Sequence, residues 1–258
     1  MVAELRILVT GSTDGIGRET AQALVRSGHR VVVHARTGER ANDARAAIPG
    51  AAVLVGDLAS LDETRALAEA ARRQGPYDAV IHNAGVGGSR RRQITVDGLE
   101  RIFQINVLAP YVLTALMDRP SRLVYLTSGL EAQGRVDLDD LQHERGRWDG
   151  EQAYSDSKLC DVLLAFAVAR RWPDVHSNAV DPGWIRTRMG GAAAPGTLSQ
   201  GADTPVWLAT SDEPAAAVSG RYFGRRSERQ ANPASGDEAL QERLLERCAA
   251  LSGVSLPR

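Results

Sequence analysis

The stretch Arg6-Ile-Leu-Val-Thr10 runs directly into Gly11-Ser-Thr-Asp-Gly15-Ile-Gly17-Arg-Glu19, and an alanine-rich segment containing Thr20, Ala21, Ala23, Leu24 and Val25 follows at once. Strand, glycine-rich turn and helix in that order make a site for a phosphate. The glycines let the backbone approach a pyrophosphate closely, and the helix N-terminus offers unpaired N–H groups and a partial positive charge. The spacing is Gly-x-x-x-Gly-x-Gly rather than the commoner Gly-x-Gly-x-x-Gly. Taken alone, such a turn also serves simply to connect a strand to a helix.

Outward from this stretch the chain repeats the alternation. Short β-branched runs at 30–35, 51–55, 77–81, 121–127, 175–180 and 220–223 read as strands. Between and after them, 61–74, 95–116, 153–166, 202–210 and 237–251 read as helices. This order predicts an α/β fold, a single Rossmann-like doubly wound parallel sheet of about seven strands with helices on both faces, in one domain spanning 1–258. Ligands of such sheets bind outside the carboxyl ends of the strands. The polar motifs fall there.

With 258 residues, a net charge of −1 and 43% hydrophobic residues, the chain carries no sign of disorder, nucleic-acid coating or membrane insertion. No apolar run approaches the ~20 residues of a membrane span. The N-terminus enters the first strand without room for a signal peptide, so a cytoplasmic protein is expected. Cys160 and Cys248 provide neither a disulfide framework nor metal-ligand spacing, and the five histidines are scattered, so no metal is expected. Ser89-Arg-Arg-Arg92 reads as a solvated loop rather than a nucleic-acid contact. Among 31 basic residues Lys158 is the sole lysine, four positions after Tyr154. Its placement argues for amine chemistry that a guanidinium cannot supply.

The second strand ends at Ala35-Arg36, with no acid until Glu39. An NAD site normally places a carboxylate here for the ribose 2′-hydroxyl, whereas an arginine suits the 2′-phosphate of NADP. NADP(H) is therefore expected over NAD(H), with Arg36 as main reader and the Ser12 and Thr13 hydroxyls as further donors. A charge-assisted contact of this kind contributes ~1.5–3 kcal/mol. Asp57, followed by Leu58 at the end of the third strand, either caps helix 61–74 or accepts from an adenine amino group. Asn83-Ala84-Gly85 ends the fourth strand with small residues that let a nucleotide pass. Asn106 sits within an apolar helix face, where it either kinks the helix or holds a water. Ser128 ends the fifth strand, and Tyr154 and Lys158, at i and i+4, share one helix face.

These motifs, together with Pro182-Gly183-Trp-Ile185-Arg-Thr187 after the sixth strand, resemble the short-chain dehydrogenases/reductases over nearly the whole chain. The long interval between Ser128 and Tyr154, with Asp137-Leu-Asp-Asp-Leu141 inside it, and Ser157-Lys-Leu159 resemble the retinol-dehydrogenase-like branch. His82 departs from the family, which usually shows a second Asn there. The resemblance implies hydride exchange between NADP(H) and a carbonyl or alcohol. Tyr154 would be the proton donor, Lys158 would stabilise its phenolate and bind the nicotinamide ribose, Ser128 would bind the substrate oxygen, and Asn106 would hold a relay water. Gly11, Gly15, Ile16, Gly17, Asp57, Leu58, Asn83, Ala84, Gly85, Pro182 and Gly183 would line the cofactor, with Ile185 and Thr187 anchoring its carboxamide. The Gly/Ala/Pro-rich 188–200 segment reads as a substrate lid, with Trp148, Trp184 and Met189 as candidate pocket walls. A small-molecule partner and a homo-oligomer, a dimer or tetramer, paired through the helices around Asn106 and Lys158 are further expectations. The alternatives are a catalytically silent dinucleotide-sensing regulator, which would need none of Ser128, Tyr154 and Lys158, and a methyltransferase, which would leave Lys158 and Arg36 unexplained.

Overall fold

A computed structural model describes residues 3–257. The elements in order are β1 (Arg6–Val9), α1 (Gly15–Arg26), β2 (Arg30–Ala35), α2 (Gly38–Ala47), β3 (Ala52–Val55), α3 (Leu61–Gln74) and β4 (Ala79–His82). Then come α4 (Arg101–Phe103), a π-helical turn (Gln104–Leu108), α5 (Ala109–Leu116), β5 (Arg122–Leu126), α6 (Gly150–Arg171) and β6 (His176–Val180). The chain closes with α7 (Leu198–Thr210), β7 (Tyr222–Gly224), β8 (Ser227–Glu228) and α8 (Glu238–Ser252). The sheet has eight strands in the order β3-β2-β1-β4-β5-β6-β7-β8, parallel except for the two-residue β8.

The strands are apolar on both sides because both faces are covered. Ile7 and Val9 join Leu24, Val33, Ile48, Ile81 and Trp207 in the core under α1, α2 and α7. Leu8, between them in sequence, faces Val80, Leu108, Leu123, Leu159 and Leu163 in the core under α3, α5 and α6. Each fully buried aliphatic side chain contributes about 1.5–3 kcal/mol.

The helix expected over 95–116 starts six residues later. Gly98, at φ +76°, and an isolated bridge between Ile94 and Glu100 close a turn instead. Asp97 in that turn accepts from the Leu61 main-chain N–H at 2.8 Å, so these residues brace the start of α3 rather than extend a helix. The later helical run does contain the predicted irregularity. It widens to a π-turn around Asn106, and Pro110, four residues on, has no N–H to offer the Asn106 carbonyl.

The surface expected to pair between copies is covered within the chain. Helix α8 packs on α6, burying Leu244, Leu245 and Cys248. Beyond it, Tyr111 on α5 donates to the Val254 carbonyl at 2.9 Å and accepts from Leu256 N–H at 3.2 Å. Trp172 Nε1 donates to the Pro257 carbonyl at 2.9 Å. Among the described residues, no helix is long and apolar enough to cross a membrane.

His82 is packed beneath the ligand edge at the end of β4, 4.8 Å from the Tyr125 ring between centroids. Its Nε2 meets Thr114 Oγ1 at 3.0 Å, while Nδ1 has no partner. Burial pushes the imidazole down to about 3. An unfolded chain takes up this proton near 6.5, so stability is lost as pH falls from 7 toward 3, by about 2 kcal/mol at pH 5. In chemical denaturation at pH 7.5 and pH 5, His82→Asn should gain about 2 kcal/mol relative to the wild type at the lower pH. An unchanged difference between the two proteins would refute this account of His82.

Candidate functional site

The strand order reverses between β1 and β4, and the glycine loop is fixed at that point. Thr10 Oγ1 accepts from the main-chain N–H groups of Asn83 and Ala84, each at 3.0 Å. In return Asn83 Nδ2 donates to the carbonyls of Thr10 at 2.8 Å and Gly11 at 3.1 Å. The approach demands glycine. A Cβ on Gly11 would lie 2.7 Å from Ala84 Cα, and one on Gly17 would overlap the Asn83 side chain and the Gly11 carbonyl. Gly11 and Gly15 also adopt φ of +63° and +54°. Asp14 caps α1 through Gly15 N–H at 2.7 Å. The first-turn N–H groups of Ile16 and Gly17 have no acceptor within the helix.

Ser12 does not face this cradle. Its hydroxyl is buried, donates to the Val9 carbonyl at 2.7 Å and accepts from His34 N–H at 2.9 Å, so it staples β1 to β2. Sequence reasoning missed His34. Its Nδ1 accepts from Gly11 N–H at 3.0 Å and its Nε2 meets the Gly56 carbonyl at 2.8 Å, joining the glycine loop to the end of β3. This pairing fixes the neutral tautomer protonated at Nε2, and burial holds the imidazole below its ordinary value.

Arg36 stands exposed at the end of β2. A second guanidinium, also missed, lies beside it at the start of α2: Arg40 Nη2 donates to Thr13 Oγ1 at 3.2 Å and sits 3.7 Å from Asp14. The signal was present in the sequence, one helical turn past Arg36. Asp57 does not cap α3, a role taken by Ser60; its carboxylate closes a local turn with Ala59 N–H at 2.9 Å. The Leu58 side chain is in the core, so only its backbone reaches the ligand edge.

On the other side of the cradle, α6 presents Tyr154 and Lys158. The Lys158 ammonium is 5.8 Å from the centre of the Tyr154 ring. It donates to the Leu126 carbonyl at 2.9 Å and to Asp161 Oδ2 at 2.7 Å, both buried. Thr127 Oγ1 donates to the Lys158 main-chain carbonyl, locking α6 onto the end of β5 immediately before Ser128. Burial disfavours the charge on Lys158, yet Asp161 and Tyr154 outweigh it and raise its pKa. Ser128 Oγ accepts from Leu130 N–H at 3.3 Å, leaving its own hydrogen free to donate.

Asn106 joins the two halves. Its Oδ1 accepts from Val86 N–H at 2.8 Å, and its Nδ2 donates to the Val86 carbonyl at 3.0 Å and to Ser157 Oγ at 2.9 Å. The side chain thus clamps the segment after β4 onto α6, with both Nδ2 hydrogens committed to protein partners. A Cβ on Gly85 would lie 3.3 Å from Asn106 Oδ1 and 3.5 Å from Lys158 Nζ, so glycine keeps this junction open.

Beyond β6, Gly183 follows Pro182 with φ +86°, and its N–H is held by Asp181 at 2.8 Å. Ile185 is buried beside Gly196 and Gly201, while Thr187 faces Gly15 and accepts from Gly190 N–H at 2.9 Å. Of the segment expected as a lid, 188–200, the last three residues belong to the first turn of α7. Residues 186–196 form a loop closed by Arg186 N–H to the Gly196 carbonyl at 2.9 Å, and α7 begins at Leu198. Met189 from this loop lies against Gly87, Trp184 is exposed, and Trp148 Nε1 donates to the Ser89 carbonyl at 2.8 Å. Arg92 in the arginine loop straps it to the Gln142 carbonyl at 2.8 Å. Among the described residues, no cluster of His, Cys, Asp and Glu suits a metal ion.

The sequence pattern of the short-chain dehydrogenases matches residues 6–136. An uncharacterised oxidoreductase of Emericella nidulans is 42% identical, covering 98% of this chain and 99% of its own. A Streptomyces protein assigned as a daunorubicin C-13 ketoreductase is 37% identical over 96% of this chain and 92% of its own. Human retinol dehydrogenase 14 is 32% identical over 92% and 83%. Among solved structures, an uncharacterised protein from Mycobacterium paratuberculosis superposes with a TM-score of 0.87 at 26% identity, over 99% of this chain and 96% of that one. A protein of Shigella flexneri 2a, assigned as a short-chain dehydrogenase and solved with NADP, gives 0.67 at 25% identity over 88% and 98%.

Proposed function

The chain belongs to the short-chain dehydrogenase family of oxidoreductases, and on that premise we propose that it exchanges a hydride between NADP(H) and a small carbonyl or alcohol substrate at Tyr154. One observation carries the reading: Tyr154 and Lys158 share a face of α6, with the ammonium 5.8 Å from the phenol ring, at the strand ends where the glycine cradle opens. The cradle suits a dinucleotide: side chains at Gly11 and Gly17 would collide with Ala84, Asn83 and the Gly11 carbonyl, so the backbone there packs close and leaves the first N–H groups of α1 for a phosphate. The bound nicotinamide supplies or accepts the hydride; the chain supplies everything else.

The Ile16 and Gly17 N–H groups at the α1 N-terminus would hold the pyrophosphate, with Gly15, Asn83 and Ala84 admitting it. Pro182, Gly183, Ile185 and Thr187 would hold the nicotinamide end, and Asp57 with the Leu58 backbone the adenine end. Tyr154 Oη gives a proton to the carbonyl oxygen as it becomes an alkoxide. Bringing a phenol from its ordinary ~10 to neutrality takes ~3 units, or about 4 kcal/mol. The Lys158 charge acts in that direction by favouring the phenolate. Ser128 donates its free hydroxyl hydrogen to the same substrate oxygen. Arg36, with Arg40 beside it, reads the 2′-phosphate, a reading supported by the NADP held by the Shigella relative. The chain works as one domain, with the 186–196 loop over the substrate. With α8 covering the helices around Asn106 and Lys158, a homo-oligomer would pair through other surfaces.

A dinucleotide sensor would have no use for Ser128, Tyr154 and Lys158 brought to one edge. Tyr154→Phe should lower turnover by at least about a thousandfold, within the range of general acid catalysis, with NADPH affinity nearly unchanged in fluorescence titration; loss of binding instead would make the tyrosine structural. Arg36→Asp should cut the preference for NADPH over NADH by about 10- to 100-fold. A preference that survives in kcat/KM would remove Arg36 from the 2′-phosphate site.

A further inference from the structure

Asp161 lies one turn beyond Lys158 on α6, is 3% exposed, and places Oδ2 2.7 Å from the Lys158 ammonium. Nothing in the hydride chemistry requires a carboxylate there. A buried ion pair is a weak source of stability, because desolvating both charges offsets their attraction. The groups packed around it are of a particular kind. Tyr125 on β5 senses the Asp161 charge, and His82 on β4 and Thr114 on α5 lie behind Tyr125. Cys160 is its neighbour on α6, and Cys248 on α8 faces Cys160. His82 is neutral through burial, and both thiols are held protonated by burial. Lys158 is the cation of this set, and Tyr154 is the other group coupled to it.

We propose that Asp161 is a positioning residue that seats the Lys158 ammonium and partly cancels its charge as felt by Tyr154, so that Tyr154 ionises at a higher pH than Lys158 alone would impose. The geometry supports the seating directly. Two of the three ammonium hydrogens are committed inward, to Asp161 and to the Leu126 carbonyl, leaving one for the Tyr154 and Gly85 side. The pair carries no net charge, so the field acting on Tyr154 is that of a dipole rather than of a full cation. Replacing the carboxylate by a neutral amide of the same shape removes the negative end of the dipole, and wherever Lys158 stays protonated a lone cation acts from the seat that the Leu126 carbonyl still holds. The assignment rests on Tyr154 as the proton donor, and its test is chosen to be readable without turnover.

The protein contains five tyrosines. Burial pushes Tyr77 and Tyr111 up to about 12 and raises Tyr125 and Tyr222 further. The part of the phenolate absorbance change that Tyr154→Phe removes is that of Tyr154, and the other four tyrosines form the blank. Wild type, Asp161→Asn and Asp161→Glu should be titrated by ultraviolet difference spectroscopy, each checked for folding by circular dichroism. Asp161→Asn should shift the Tyr154 transition down by about one pH unit, and Asp161→Glu should bring it back toward the wild type. The acid limb of alcohol oxidation should move with it. A folded Asp161→Asn whose phenolate transition coincides with the wild type, or lies higher, overturns the proposal. Should the amide variant fail to fold, the glutamate variant decides: it must keep the wild-type transition. A phenolate shift without any NADPH-linked turnover would leave this coupling standing and refute the proposed activity instead.

Discussion

The reciprocal bonding of Thr10 and Asn83 is the constraint on which the rest of the site depends. It joins the ends of β1 and β4, the two strands between which the sheet reverses its winding. Four short hydrogen bonds hold the Gly11 backbone against Ala84 closely enough that no side chain fits between them. Each buried bond of this type adds only ~0.5–1.5 kcal/mol net, but leaving a donor unpaired costs ~1–3 kcal/mol, so the arrangement resists being half made. The glycine loop is thereby rigid before any ligand arrives, with His34 bracing it from the β3 side.

The same economy of contacts extends to the acid–base pair. Asn106 ties the chain leaving β4 to Ser157, which lies between Tyr154 and Lys158 on α6. Thr127 and Leu126 then tie Lys158 to β5. One continuous set of bonds thus runs from the glycine loop through β4, the π-turn and α6 to the residue before Ser128. The π-turn belongs to this set: it places Asn106 where both amide groups reach protein partners.

Much of this was legible in the sequence because it follows from chemistry with few solutions. A glycine loop between strand and helix suits a phosphate once the motifs at the other strand ends join it, and a sole lysine four residues after a tyrosine has few uses. The parallel sheet and its two covered faces followed from alternation and from apolar runs. What escaped the sequence depends on partners far along the chain. Ser12 looked like a ligand donor but satisfies a β2 N–H, 22 residues away. The residues after Thr95 have helical composition, yet Asp97 is drawn to the start of α3, 36 residues earlier. The expected pairing surface is apolar in sequence because α8 and the C-terminal residues cover it. Asp161 reads as a solvated helix charge until the fold buries it against Lys158.

The most direct test of the account is the fate of the hydride. Purified protein should be incubated with NADPH deuterated at nicotinamide C4 and with a set of aldehydes and ketones, and the alcohols formed should be examined by mass spectrometry. The account predicts one deuterium on the carbinol carbon of the product, formed with NADPH far more than with NADH. Tight NADPH binding with no labelled alcohol from any of these substrates would contradict it, and would leave a protein that holds the dinucleotide without using it.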